Sequence, residues 1–135
     1  NLNIKREALN LFSEKSVDIK EKINKLIFEI KLNGGTISGY GAPAKAVTML
    51  SFLEIDHSSI PVIYDKSELK QNMYIPGTSI HIKNPKYLKS NSTDYIFLFS
   101  WNFSKEIISD LKNVYHFSGK VIIPIPELII KSVNE

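Results

Sequence analysis

The residues with the clearest chemical potential form one short stretch, Gly39-Tyr40-Gly41-Ala42-Pro43-Ala44-Lys45. Gly39, Gly41 and Ala44 fit the G-x-G-x-x-G/A pattern of a strand-to-helix phosphate loop. In such a loop the glycines permit a tight turn and close approach of a ligand, and the amides at the helix N-terminus face an anion. Similar glycine turns also occur for purely steric reasons, so the motif alone leaves both interpretations open.

Three charged residues extend this candidate binding site. Lys45 falls in the first turn of the loop helix, where a cation opposes the helix dipole, and this placement favours a bound anion over a solvated lysine. Asp65 follows a short apolar strand about 20 residues beyond the loop, where dinucleotide-binding units place a carboxylate for ribose hydroxyls. The alternative for Asp65 is a loop or N-cap aspartate. Lys70 is a weaker candidate for binding the same anion.

Trp101 and Asn102 follow the most apolar strand and are predicted to lie on the same rim. Trp101 can stack on a base or sugar, or it can cap the core. Asn102 can contact a ligand, or it can cap the next helix. The histidines are His57, His81 and His116. Because they lie in separate segments without metal-ligand spacing, we expect no zinc site.

Length and composition predict one globular domain, with 135 residues of which 43% are hydrophobic. The chain contains no cysteine, which excludes disulfides, thiolate catalysis and Cys-based zinc sites. Its net charge of +3 is too small to favour a nucleic-acid partner. No apolar run is long enough to span a bilayer and no leader is evident, so we expect no membrane partner and a cytoplasmic location.

Apolar patterns predict a long helix over residues 2–32, interrupted near Ser13–Ser16, and then strands that alternate with helices. The predicted strands cover residues 37–38, 60–64, 79–82, 94–100 and 121–123, and residues 127–135 are predicted as a short helix. Strands alternating with helices indicate an α/β fold, a Rossmann-like, doubly wound parallel five-stranded sheet of order 3-2-1-4-5 with a long N-terminal helix. Ligands bind such sheets beyond the carboxyl ends of the strands, where the strand order reverses.

Several segments resemble the C-terminal domain of sugar C-methyltransferases, enzymes that methylate a carbon of a nucleotide-linked deoxysugar. In chain order they are residues 39–45, Asp65 with Lys70-Gln71, Tyr74-Ile-Pro-Gly-Thr78, Trp101-Asn102-Phe103 with Glu106-Ile107, and Val121-Ile-Ile-Pro-Ile-Pro126. Two positions depart from the family pattern. Ala46-Val47-Thr48 replaces the more usual Gly-Asn-Thr, so the sugar is expected to differ. Asn72 replaces a glycine, and asparagine can adopt the same left-handed backbone.

The resemblance implies a non-catalytic domain that binds no cofactor itself and holds the nucleotide-sugar substrate. S-adenosylmethionine and a structural zinc are then expected in preceding domains, and the partner is the N-terminal methyltransferase domain of the same full-length chain. We expect a fragment of a longer enzyme, also because the chain begins without Met. Within it, residues 1–33 are predicted to be a helical segment on the sheet, and residues 34–135 the Rossmann-like domain.

Three other functions are compatible with the residues. The chain can be an independent NAD(P)- or nucleotide-binding Rossmann module, since the loop and Asp65 allow it. It can bind S-adenosylmethionine itself, although the strand before the loop ends in Ser38 rather than an acid. It can also be a docking domain whose glycine turn is purely structural.

Overall fold

The fold is an α/β sandwich, and the computed structural model describes residues 16–42, 44, 46–89 and 92–135. Its strands are β1 (Ile37–Tyr40), β2 (Val62–Tyr64), β3 (His81–Lys83), β4 (Tyr95–Leu98), β5 (Lys120–Ile123) and β6 (Ile129–Ser132). Its helices are α1 (Ser16–Leu32), α2 (Ala46–Leu53) and α3 (Ser104–Asn113), with 3-10 turns at Pro85–Lys89 and Trp101–Phe103.

One six-stranded sheet has the order β3-β2-β1-β4-β5-β6. The first five strands are parallel to their neighbours, and their order is the predicted one. β1 lies in the middle and pairs with both β2 and β4. The strand order therefore reverses beside β1, and the carboxyl ends of β1, β2 and β4 share one edge of the sheet.

The sheet differs from the prediction at its last strand. The short helix predicted over residues 127–135 is wrong, because β6 occupies this segment and pairs antiparallel with β5. The sheet therefore has six strands and is mixed, instead of five that are all parallel. Ile129 and Ile130 are β-branched and suit a strand. Their pairing also satisfies the backbone groups of β5, which would otherwise form an open sheet edge.

The helices cover both faces of the sheet because each strand alternates its side chains between two cores. On one face, α1 and α2 pack through residues that include Ile23, Ile27 and Met49. On the other face, α3 contributes Ile107 and Leu111. Most of the predicted break near Ser13–Ser16 lies outside the described residues. Within the ranges given above, no helix combines the length and apolar character that a membrane crossing requires.

Candidate functional site

Packing and backbone geometry account for both glycines of the motif, although Gly39 lies within β1 instead of in the predicted turn and only Gly41 follows the strand. Gly41 has a left-handed φ of 86°, and a Cβ there would lie 2.3 Å from the Ser100 hydroxyl oxygen. At Gly39, a Cβ would lie 2.7 Å from the ring of Phe99 and 2.8 Å from Ile63. Contacts this short do not occur in relaxed structures, so both positions need glycine whether or not a ligand binds.

The amides of the turn already have partners within the chain. The Gly41 N–H donates to the Tyr64 carbonyl at 2.8 Å, and the Ala42 N–H donates to Asp65 Oδ2 at 2.7 Å. The Ala42 carbonyl accepts a hydrogen bond from Lys70 Nζ at 2.8 Å. These two amides are therefore not open to an anion, and a phosphate at this edge needs other donors.

Asp65 joins the segments that follow β1 and β2. Its carboxylate accepts from the Ala42 N–H through Oδ2 and from the Ser67 N–H through Oδ1, both at 2.7 Å. The main chain of Asp65 is hydrogen-bonded as well. Its N–H donates to the Lys83 carbonyl at 3.0 Å, and its C=O accepts from Gln71 Nε2 at 2.9 Å. Each carboxylate oxygen retains a lone pair, so contact with a ligand hydroxyl remains compatible with this position.

Of the two predicted cations, the structure places Lys70 at the turn. The other, Lys45, lies outside the described residues, and so does Pro43 of the same stretch. The Lys70 ammonium has three donors, and one of them is used on the Ala42 carbonyl. Counting only contacts between residues that the structure describes, two donors remain for a ligand. In the loop that carries Lys70, Asn72 has a φ of 65°, which confirms the left-handed backbone expected there.

The structure places Trp101 and Asn102 on a 3-10 turn that follows β4. Trp101 is half-buried and packs against both hydrophobic cores, as the core-capping alternative requires. Asn102 is exposed and caps neither helical segment, since Ser100 precedes the 3-10 turn and Phe103 precedes α3. Contact of either side chain with a ligand stays a prediction.

A cleft of about 260 Å³ lies over the carboxyl ends of β1, β2 and β4, against α3. Its lining residues are Tyr40, Gly41, Asp65, Lys66, Ser100, Phe103, Glu106, Ile107 and Asp110. We call it the switch-point cleft, because it lies where the strand order reverses. Three carboxylates and one ammonium give its lining a net charge of −2 at neutral pH. An anion inside would be repelled, by about 1 kcal/mol per like-charge pair at 4 Å even in bulk water.

An ion pair between Lys66 and Asp110 crosses this cleft from the β2 segment to α3. The Asp110 carboxylate raises the pKa of Lys66 above its usual value. The contribution of this lysine to stability is thus fully present below its usual pKa and is lost only as the pH rises beyond the raised value. Because the Lys66 side chain is 59% exposed, the pair is weakly stabilising.

The Tyr40 hydroxyl is the exceptional polar group of the site. Tyr40 is the last residue of β1, is 4% exposed and packs in the core under α3. Its hydroxyl is buried, and the Tyr115 side chain lies near enough to form a hydrogen bond with it. Burial raises the pKa of Tyr40, and Tyr115, Asp110 and Asp65 act in the same direction. The group is therefore a neutral hydroxyl at neutral pH.

Two larger clefts lie at the opposite, amino-terminal edge of the sheet, with volumes of about 770 and 540 Å³. The larger contains Asp56 and His57, but Asp56 already accepts hydrogen bonds from the Ser58 amide and hydroxyl. Open α/β sheets bind ligands at the carboxyl edge, and the cleft of about 260 Å³ lies at that edge. The smaller cleft is therefore the better candidate despite its volume.

Sequence reasoning missed three of the charged groups in the switch-point cleft, namely Lys66, Glu106 and Asp110. A signal for the last two exists, since they lie four residues apart on α3 and each precedes a buried residue, Ile107 or Leu111. That spacing places them on one side of the helix, next to the sheet. Nothing local indicates that Lys66 pairs with Asp110, because their contact depends on the tertiary fold.

A metal centre is not supported by the part of the chain that the structure describes. There, no group of three or more histidine, cysteine, aspartate or glutamate side chains is arranged to hold an ion.

Dinucleotide and S-adenosylmethionine sites on such folds use the turn after β1. Here the amides of Gly41 and Ala42 are engaged within the chain, which makes the turn a poor fit for either group.

Comparison with known proteins identifies a matching family and a sequence relative. Residues 3–126 match the C-methyltransferase C-terminal domain family. C-methyltransferase NovU from Streptomyces niveus is 34% identical over 109 residues, which cover 81% of this chain and 26% of that protein. The chain thus spans about a quarter of its relative. A crystal structure of UDP-D-quinovosamine 4-dehydrogenase from Vibrio fischeri aligns with a TM-score of 0.47 and 22% identity, over 73% of this chain and 92% of that one.

Proposed function

This chain belongs to the C-methyltransferase C-terminal domain family, and on that premise we propose that it holds a nucleotide-linked deoxysugar during methyl transfer. In this proposal the transfer itself takes place in another domain of a longer enzyme. The chain is then a substrate-binding, non-catalytic part of a transferase, and its main partner is the N-terminal methyltransferase domain. A cytoplasmic location fits the absence of cysteine.

One observation carries the binding role: polar groups from separate segments converge on the switch-point cleft. Asp65 and Lys66 follow β2, Ser100 follows β4, and Asp110 comes from α3. Pockets that combine an apolar wall with a few converging polar groups are the usual ligand sites of α/β domains. Phe103 and Ile107 supply the apolar part here.

S-adenosylmethionine supplies the methyl group in this proposal and is bound by the methyltransferase domain, together with any structural zinc. This chain's own residues position the sugar nucleotide. Lys70 offers two free ammonium donors beside the turn, and we assign the diphosphate to it. Lys70 does not line the cleft, so the diphosphate would then lie outside it.

The proposal predicts that thymidine diphosphate glucose, used as a probe, stabilises the folded chain. At 100 times the dissociation constant, binding adds about 2.7 kcal/mol to the free energy of unfolding, which raises Tm by several degrees. Lys70→Met is expected to weaken binding about tenfold through the lost charge-assisted contact. Thermal denaturation with increasing probe measures both effects.

A matched control is Lys112→Met, in the last turn of α3 and so at the far edge of the sheet. It should leave binding unchanged. No stabilisation of the folded chain by any nucleotide sugar at millimolar concentration would contradict the proposal. Stabilisation by a nicotinamide dinucleotide alone would replace it with an independent dinucleotide-binding role.

A further inference from the structure

We propose that Gln71 and Asn84 are positioning residues for the diphosphate of the nucleotide sugar, and that they act through Lys70. This inference rests on the proposed function, which assigns the diphosphate to the Lys70 ammonium, and deepens it by naming the side chains that hold this ammonium in place. Neither positioning residue contacts the ligand in this proposal. Their side-chain amides instead fix residues 65–71, which we call the lysine loop.

The Gln71 side chain closes the lysine loop on itself. Gln71 Nε2 donates to the Asp65 carbonyl at 2.9 Å, so the last residue of the loop is bonded to the first. Within the loop, the N–H groups of Lys70 and Gln71 donate to the Ser67 carbonyl at 3.1 and 3.3 Å. The loop is therefore a compact turn, and its closure fixes the direction in which the Lys70 side chain leaves it.

Asn84 joins the closed loop to the end of β3. Its Nδ2 donates to Gln71 Oε1 at 3.3 Å, and its Oδ1 accepts from the Lys86 N–H at 2.9 Å. Both side-chain amides thus use the nitrogen as a donor and the oxygen as an acceptor. Because only one orientation of the Gln71 amide satisfies both the Asn84 donor and the Asp65 carbonyl, these contacts fix that side chain.

The same chain of hydrogen bonds reaches the turn after β1 at Ala42. Asp65 Oδ2 accepts from the Ala42 N–H at 2.7 Å, and Lys70 Nζ donates to the Ala42 carbonyl at 2.8 Å. The lysine loop therefore contacts both polar groups of one peptide segment in the turn. In this way the residues that follow β1, β2 and β3 are joined along the carboxyl edge of the sheet.

The Lys70 side chain is held in one place although it is exposed. Ordering a lysine costs rotamer entropy, and contacts of exposed charges contribute little to stability. The same ordering favours binding, because a group that is already in position loses no further entropy when the ligand arrives. The arrangement therefore suits a cation prepared for an anionic ligand better than a contact that stabilises the fold.

The test is Gln71→Met, which keeps the length of the side chain and removes both of its hydrogen bonds, measured by NMR titration with thymidine diphosphate glucose. We expect affinity to fall about fivefold, less than the loss expected for Lys70→Met. Added to Lys70→Met, the same substitution should have no further effect, since Gln71 acts through Lys70. Asn113→Leu is the matched control, because it removes a side-chain hydrogen bond of 3.3 Å at the end of α3, and it should leave affinity unchanged.

Gln71→Glu separates the hydrogen bonds from the packing of the side chain. Below the usual glutamate pKa of about 4.3, the protonated carboxyl group can donate to the Asp65 carbonyl and accept from Asn84, as glutamine does. At such a pH we expect Gln71→Glu to bind the probe as tightly as the unchanged chain does at the same pH. Gln71→Met should remain about fivefold weaker there.

Unchanged affinity of Gln71→Met would overturn the inference, and so would an undiminished loss when it is added to Lys70→Met. Gln71→Glu that stays as weak as Gln71→Met at low pH would also overturn it, by showing that the hydrogen bonds are unimportant. If Gln71→Met does not fold, Asn84→Ala removes only the outer link and takes its place in the same comparison. If the unchanged chain does not bind the probe, the proposed function itself fails, and this inference fails with it.

Discussion

Asp65→Ala is expected to lower the free energy of unfolding by about 3 kcal/mol. The variant loses two short hydrogen bonds from main-chain amides to a carboxylate, those of Ala42 and Ser67. Hydrogen bonds to charged groups contribute about 1.5–3 kcal/mol each, and partial exposure of this site reduces their sum. Urea denaturation followed by circular dichroism measures the difference.

Asp56→Ala is the matched control for this effect. Asp56 also accepts from a main-chain amide, but its partner is Ser58, two residues away in the same exposed turn. Its removal should cost less than about 1 kcal/mol, since no distant segments are joined. An Asp65→Ala variant as stable as Asp56→Ala would show that the carboxylate does not hold the two segments together.

Gly41→Ala is expected to cost a similar amount, about 3 kcal/mol. The left-handed φ of 86° costs a residue with a Cβ about 1–2 kcal/mol. The new methyl group would also meet the Ser100 side chain at 2.3 Å, and overpacking of this kind typically costs 1–3 kcal/mol. Thermal and urea denaturation of the variant measure the sum.

Gly77→Ala separates the cost of the left-handed backbone from the cost of the contact with Ser100. Gly77 also has a left-handed φ, 77°, but a Cβ there would meet nothing within 4 Å. Its substitution should therefore cost only the backbone part, about 1 kcal/mol. Adding Ser100→Gly to Gly41→Ala should recover part of the larger loss. If Gly41→Ala and Gly77→Ala cost the same, the contact with Ser100 is unimportant.

Because Gly41 is needed for the shape of the turn, a substitution of Gly41 is a poor test of ligand binding. A Gly41→Val variant would lose binding through a distorted turn as readily as through a lost ligand contact. Lys70 is a better probe, because Lys70→Met removes one exposed ammonium.

Much of the fold is predictable because its signals are local. Apolar runs, glycines and helical spacing mark the five parallel strands and the helices between them, and the βαβ rule then orders them. The segment after Pro126 carries no such signal. Two β-branched isoleucines are too few to predict a strand with certainty, and the pairing with the open edge of β5 accounts for the strand that forms.

The location of the site can be predicted from the sequence, but most of the contacts within it cannot. Parallel topology brings the ends of β1, β2 and β4 together, so Gly41, Asp65 and Ser100 had to converge. The Tyr40 side chain lies on the side of the sheet that α3 covers. Which face of β1 the helix covers cannot be read from the sequence. The partners of the loop amides likewise depend on the exact approach of the β2 segment.

We propose that a nucleotide sugar binds at the carboxyl edge of this sheet. Amide chemical shifts of the isotope-labelled chain, titrated with thymidine diphosphate glucose, test it most directly. We expect the largest changes at residues 39–42, 65–70 and 100–102, with Asp56 and Gly119 at the opposite edge unaffected. Changes clustered around Asp56 and His57, or none at millimolar probe, would contradict it.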